Sequence, residues 1–396
     1  MGRTLNARQK NVPTNSSKAK SVPIKKGSKS KSSISNGRKA LPSATRTKRK
    51  DVDINYYDID FNGDAQFKAK YEKLFKRGVL ATKYCDIDAL TTLHIENDVH
   101  WLFNNIGLGN FLMTKTPACT RATLEFLSSL KVHIFPHPSS GTSSITFRLF
   151  NNDHTWTLEM LNDALGLRGG GARVTPQQWS ATPLWQIISG ESNYDSSSSS
   201  IKSTRHPALR YILKVLSNTI FGRQEGSKVR QDELFMLHHM LYATPIDTGA
   251  FLIHQLQRVA NNVNVGGKIV QGGFITRIAV YLGYAEQLKH AGFVDGTDAV
   301  EVPFGWFKKK DGTTLWCVQN DEDELPHPEQ MTLTNPVNWS FECSSRRNSV
   351  PLPIAPSLEQ SLPSSTSEGA SFSATPIERA LDKLEQLQTS LLRHGN

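Results

Sequence analysis

The first 50 residues contain no Asp, no Glu and no aromatic side chain. Without acid, the 15 Lys and Arg of that segment have no internal partner; without aromatics, it has no means of stacking on bases. Large apolar residues are nearly missing too. The segment therefore cannot bury enough surface to offset its conformational entropy, and disorder is expected. No apolar stretch follows the charges, which argues against a secretory leader. Its acid-free, Ser-rich composition also suits a transit peptide, but the charge is Lys-heavy and lacks an amphipathic pattern.

Other absences narrow the chemistry. The four cysteines, Cys85, Cys119, Cys317 and Cys343, form no C-x-x-C pair, which excludes a zinc knuckle or finger and leaves reduced, mostly buried thiols. No apolar run reaches the roughly 18 residues of a membrane span, so no membrane partner is expected. Gly266-Gly267-Lys268 lacks both the earlier Gly and the following Ser or Thr of a phosphate loop. His238 and His239 are neighbours whose side chains point about 100° apart on a helix, so together with His254 they make a poor metal set. No metal and no cofactor is expected.

Charge is what the chain does have, and it is segregated. The remaining 346 residues hold 31 basic and 36 acidic side chains, so the formal net charge of +10 hides a mildly acidic body behind a +15 arm. The arm's clusters are Lys25 and Lys26, then Arg46, Lys48, Arg49 and Lys50. Such clusters suit RNA or DNA held electrostatically and without regard to sequence, or a nuclear import signal. Nuclear localisation, with shuttling to the cytoplasm, is the expectation. The plainer reading is a solubilising tail.

Periodicity predicts helices over Gln66–Arg77, Asp88–Asn105, Pro117–Leu130 and Leu158–Leu165, the last capped by Thr157. Val132–Phe135 and Ile145–Phe150 alternate as strands, with a turn at Asn151-Asn152-Asp153. Four further helices follow: Pro207–Phe221, Val229–Tyr242, Thr248–Asn261 and Gly273–Tyr284. Asp311-Gly312 marks a hairpin within Val300–Val318. The tryptophans read as core, and Asp321–Glu324 as a solvated acidic loop. At the far end, Thr375–Glu378 is a capping box. Ile377, Leu381, Leu384, Leu387 and Leu391 then form a coiled-coil stripe of about two heptads, suited to a homo-oligomer or to docking on the body.

The expected fold is mainly α: a multi-helix globular core with a small β-hairpin element, a disordered basic N-terminal arm and an isolated C-terminal helix. The boundaries are an arm at 1–50, a helical subdomain with the hairpin at 51–168 and a flexible Gly/Ser-rich loop at 169–204. A helical core at 205–318, a low-order linker at 319–374 and an amphipathic helix at 375–396 follow.

The block HPALRYILKVLSNTIFGRQEG, with Glu233-Leu234-Phe235, Thr248-Gly249-Ala250-Phe251-Leu252 and Gly272-Gly273 before Ile275-Thr276, resembles the plant Athila-type (Gypsy-class) retrotransposon protein of the first open reading frame. Phe147, Thr157, Leu158, Leu161 and Gly166 fit it as well. The resemblance is specific at 206–282 and weak elsewhere. It implies a non-catalytic, Gag-like or accessory protein, or a domesticated nuclear interaction factor whose arm only directs import. In that setting Asp247-Thr248-Gly249-Ala250 has the form of an aspartic protease nucleophile site. Helices predicted on both sides favour Asp247 as a helix cap instead.

Overall fold

The computed structural model describes residues 53–341, apart from 137, 225, 263–266, 304 and 319–320. The arm and the terminal stripe lie outside the described residues. The described residues form one compact unit. It contains 12 α-helices, and helix outweighs strand by 45% to 13%.

The chain enters through α1 (Ala65–Arg77). Asp64 accepts from the Gln66 and Phe67 amides, Phe67, Tyr71 and Leu74 face inward, and Gly78 ends the helix at φ 75°. After β1 (Lys83–Tyr84), the helix expected over Asp88–Asn105 is two, α2 (Ile87–Thr92) and α3 (Glu96–Ile106). His94 between them is left-handed at φ 55°. That break lets Leu93 and Ile95, a poor pair for one helix face, both be fully buried.

α4 (Thr120–Ser129) is buried almost all round. It packs against α1 and against a three-stranded antiparallel sheet, β2 (Lys131–His133), β3 (Ser144–Leu149) and β4 (Asn152–Trp156). The β3–β4 turn falls on Phe150-Asn151, both at positive φ, one residue earlier than expected. The buried Glu125 carboxylate imposes that shift by accepting from the Phe150 and Asn151 amides at 2.8 and 2.7 Å. Thr157 caps α5 (Leu158–Leu165), which Gly166 ends, as expected.

The segment 169–204 is not a flexible loop. It holds α6 (Thr182–Ser189), whose Trp185 is fully buried and donates to Glu191 at 3.0 Å. Four helices follow: α7 (Pro207–Asn218), α8 (Gln231–Leu241), α9 (Thr248–Asn261) and α10 (Gly272–Tyr281). α10 lies against both α4 and α5. α11 (Ala285–Ala291) and β5 (Asp298–Ala299) come next, β5 pairing in parallel with β1.

The expected hairpin is present, turning at Asp311-Gly312 between β6 (Phe307–Lys310) and β7 (Thr313–Val318). The acidic run is not a loop: it forms a third strand, β8 (Asp321–Glu324), on β7. The described part of the expected low-order linker is also ordered. Through α12 (Pro328–Met331) and a 3₁₀ turn at Pro336–Ser340 it buries Met331, Leu333 and Trp339. The buried apolar side chains make one cluster from Ile59 to Phe341, so 51–168 and 205–318 share a core. No helix among the described residues is long and apolar enough to cross a membrane.

Candidate functional site

The eleven residues singled out for binding and self-association all lie outside the described residues. The body can be judged on its own chemistry, beginning with Asp247. Its side chain caps α9, accepting from the Ala250 amide at 3.1 Å and from Asn162 Nδ2 at 3.0 Å. Arg173 Nε lies 3.7 Å from Oδ2. Burial raises the carboxyl above its usual range, while Asn162, the Ala250 amide and Arg173 pull it back. None of these partners is a second carboxylate, and the flanking elements are the helices α8 and α9 rather than strands. The Gly of Asp-Thr-Gly packs closely on a neighbour: a Cβ on Gly249 would sit 2.0 Å from Asn162 Oδ1 on α5, so the Asn162 side chain would have to shift. The motif is therefore a capped helix start pressed against a neighbouring helix.

Two of the three histidines have partners within the fold. His239 Nδ1 meets Thr244 Oγ1 at 2.8 Å, and the His238 ring lies 4.5 Å from that of Tyr242. Burial lowers the pKa of His238, His239 and His254. No cluster that could hold a metal occurs among the described residues. Cys85 and Cys119 are buried free thiols, Cys85 pushed up to about 12 by burial. None of the seven tryptophans is exposed, in keeping with their reading as core.

One feature escaped sequence reasoning. Two clefts, each lined by several charged side chains, flank the C-terminal end of α9. One, of about 750 Å³, lies between α1 and the polar face of the β2–β3–β4 sheet. The other, of about 600 Å³, lies among α1, α8 and α9. The only sequence signal was the placing of lysines opposite the apolar face of α1; the partners come from residues 54 to 198 positions away.

The comparisons with known proteins agree with the sequence reading. Residues 61–245 match a retrotransposon protein class, that of first open reading frames. The matching model is that of the ATHILA ORF-1 family, and the matched segment is a little under half of the chain. The match starts much earlier than the 206–282 block that looked most specific, and ends before α9. No curated protein and no solved structure matches the chain.

Proposed function

We propose that this is a Gag-like, non-catalytic retrotransposon protein that binds nucleic acid through its basic arm and self-associates. One observation carries the reading: a +15 segment without acid precedes an ATHILA ORF-1 segment within a body that is itself slightly acidic. Counterion release from phosphates then drives binding that ignores base sequence. The terminal stripe from Ile377 to Leu391 is too short to pair alone and adds to contacts made elsewhere.

The test is the salt dependence of binding to a 30-mer oligonucleotide. With about half the arm's charges on phosphate, the log–log slope is roughly −6 for duplex, and deleting residues 1–50 should flatten it. A slope untouched by the deletion would exclude the arm as the contact. Light scattering with and without the oligonucleotide checks assembly. A strict monomer that binds no nucleic acid would leave the domesticated, import-only reading in its place.

A further inference from the structure

The two clefts share one wall. On α1, Lys70, Lys73 and Arg77 recur at i, i+3 and i+7, so a single stripe about 10 Å long serves both clefts. Lys131 on β2 extends the row at one end. Lys268 and Arg230 extend it at the other. The end of α9 separates the clefts, with Ala260 and Asn261 lining the first and Val259 and Asn262 the second.

The charge along this row is not balanced. Nine basic and four acidic side chains line the two clefts, on a body with more acid than base. Each of the four acids is already engaged. Asp64 caps α1, Asp153 pairs with Arg148, Asp232 with Arg258, and Glu233 with Arg223. Lys70, Lys73, Lys131 and Lys268 form no ion pair among the described residues. Arg77 donates to the carbonyls of Gly267 and Val259, at 2.7 and 3.0 Å, and so meets no carboxylate. Lys70 and Lys131 crowd each other: the Lys70 ammonium is held below its ordinary pKa by burial and then by the Lys131 charge. Gathering like charges in clefts costs folding energy and focuses the field on a counterion.

We propose that Lys131, Lys70, Lys73, Arg77, Lys268 and Arg230 form a track for the phosphodiester backbone of a nucleic acid, a second contact built on the folded body. The proposal rests on the nucleic-acid reading above but not on the arm. A row of cations at helical steps fits a polymer that carries a charge at every repeat. An acidic protein partner would need an exposed apolar anchor as well; none of the exposed large apolar side chains among the described residues (Leu80, Ile87, Met160, Tyr281, Val337) lines either cleft, and the Phe side chains that do, Phe61, Phe67, Phe147 and Phe221, are buried or half-buried.

The experiment is amine-reactive labelling of the full chain, read by mass spectrometry, with and without a single-stranded 30-mer oligodeoxythymidine. Lys70, Lys73, Lys131 and Lys268 should lose label several-fold, and Lys309 and Lys310 on the β6 hairpin should not. Protection should persist, at higher oligonucleotide concentration, in a chain with Lys25, Lys26, Arg46, Lys48, Arg49 and Lys50 all changed to Gln. A Lys70→Gln, Lys73→Gln, Lys268→Gln chain should show a salt slope shallower by about 2, three charges at about 0.7 each for a single strand. If the native chain binds the oligonucleotide while the four lysines label unchanged, the track is wrong and the arm reading survives. If the native chain does not bind, both fall. Equal protection by polyglutamate would overturn the phosphodiester assignment in favour of an acidic protein. Labelling reads the unsubstituted chain, so misfolding of the triple variant cannot decide the result.

Discussion

Single residues hold this fold through buried polar groups whose partners are fully specified. Asp247 is one. Replacing it with Ala removes a helix cap and leaves Asn162 and Arg173 short of an acceptor, so denaturant unfolding should show a loss of about 2–4 kcal/mol. Asp247→Asn keeps an acceptor at the cap and should lose less; equal losses in the two variants would contradict the capping role. His206 is another. Its Nδ1 accepts from the Ala208 amide at 3.1 Å and its Nε2–H donates to the Met331 carbonyl at 2.7 Å, so the folded protein holds the neutral ring. Burial pushes its pKa down to about 4. The unfolded chain binds the proton near pH 6.5 and the folded chain does not, so this contribution is present above that pH. It is lost as pH falls toward 4, by roughly 3 kcal/mol at most. His154, His238, His239 and His254 are lowered by burial too and act in the same direction. The stability difference between native protein and His206→Asn isolates His206 and should shrink between pH 7 and pH 4.5. A constant difference would remove it from the pH response.

At the scale of elements, α10 shows how close approach sets sequence. A Cβ on Gly273 would lie 2.4 Å from both the Thr116 carbonyl and Tyr84 Oη. The Gly273 amide donates to Thr82 Oγ1 at 2.8 Å. Backbone cannot yield cheaply there, so Gly273→Ala should destabilise by about 2–3 kcal/mol, although Ala is the better helix former. A neutral or stabilising result in thermal unfolding would show that α10 can move off the Thr116 segment. Most of the helices were legible because their apolar residues follow helical steps and their ends carry caps, Asp64 and Gly78 for α1 and Thr157 and Gly166 for α5. α6 was missed because its surroundings are rich in Gly and Ser, yet Leu184, Trp185 and Ile188 are enough to bury it. β8 was missed because four consecutive acids have no strand signature; β7 supplies its hydrogen bonds, and Lys308 pairs with Glu322 across the sheet.

For the whole molecule, the decisive fact is the single core. Trp339 donates to the Leu333 carbonyl at 2.9 Å, and Asp98 on α3 accepts from the Leu333 amide at 2.8 Å, which ties the last described segment to the first helices. Arg210 on α7 donates to the Cys317 carbonyl at 2.8 Å and lies 4.2 Å from the Trp316 ring, holding the β6–β7–β8 sheet to the helices. Residues 53–341 should therefore unfold in one cooperative step, with near-ultraviolet and far-ultraviolet dichroism superimposing. Trp339→Ala should move that one transition to lower denaturant by about 3 kcal/mol. Two resolved transitions would restore the division into 51–168 and 205–318.

The sequence by itself determined what depends on neighbours along the chain: the helical periods, their caps, the hairpin at Asp311-Gly312, the segregation of charge, and the motifs that carry the ATHILA resemblance. Those signals are local, because a cap or an apolar step is read within a turn or two. Only the tertiary structure decided that Asp247 is a cap facing Asn162 and Arg173, that 169–204 and 321–341 complete the core, and that α1 meets β2 and the end of α9 along a row of cations. Each depends on side chains brought together from distant positions, where burial and unpaired charge exist only once the chain has folded.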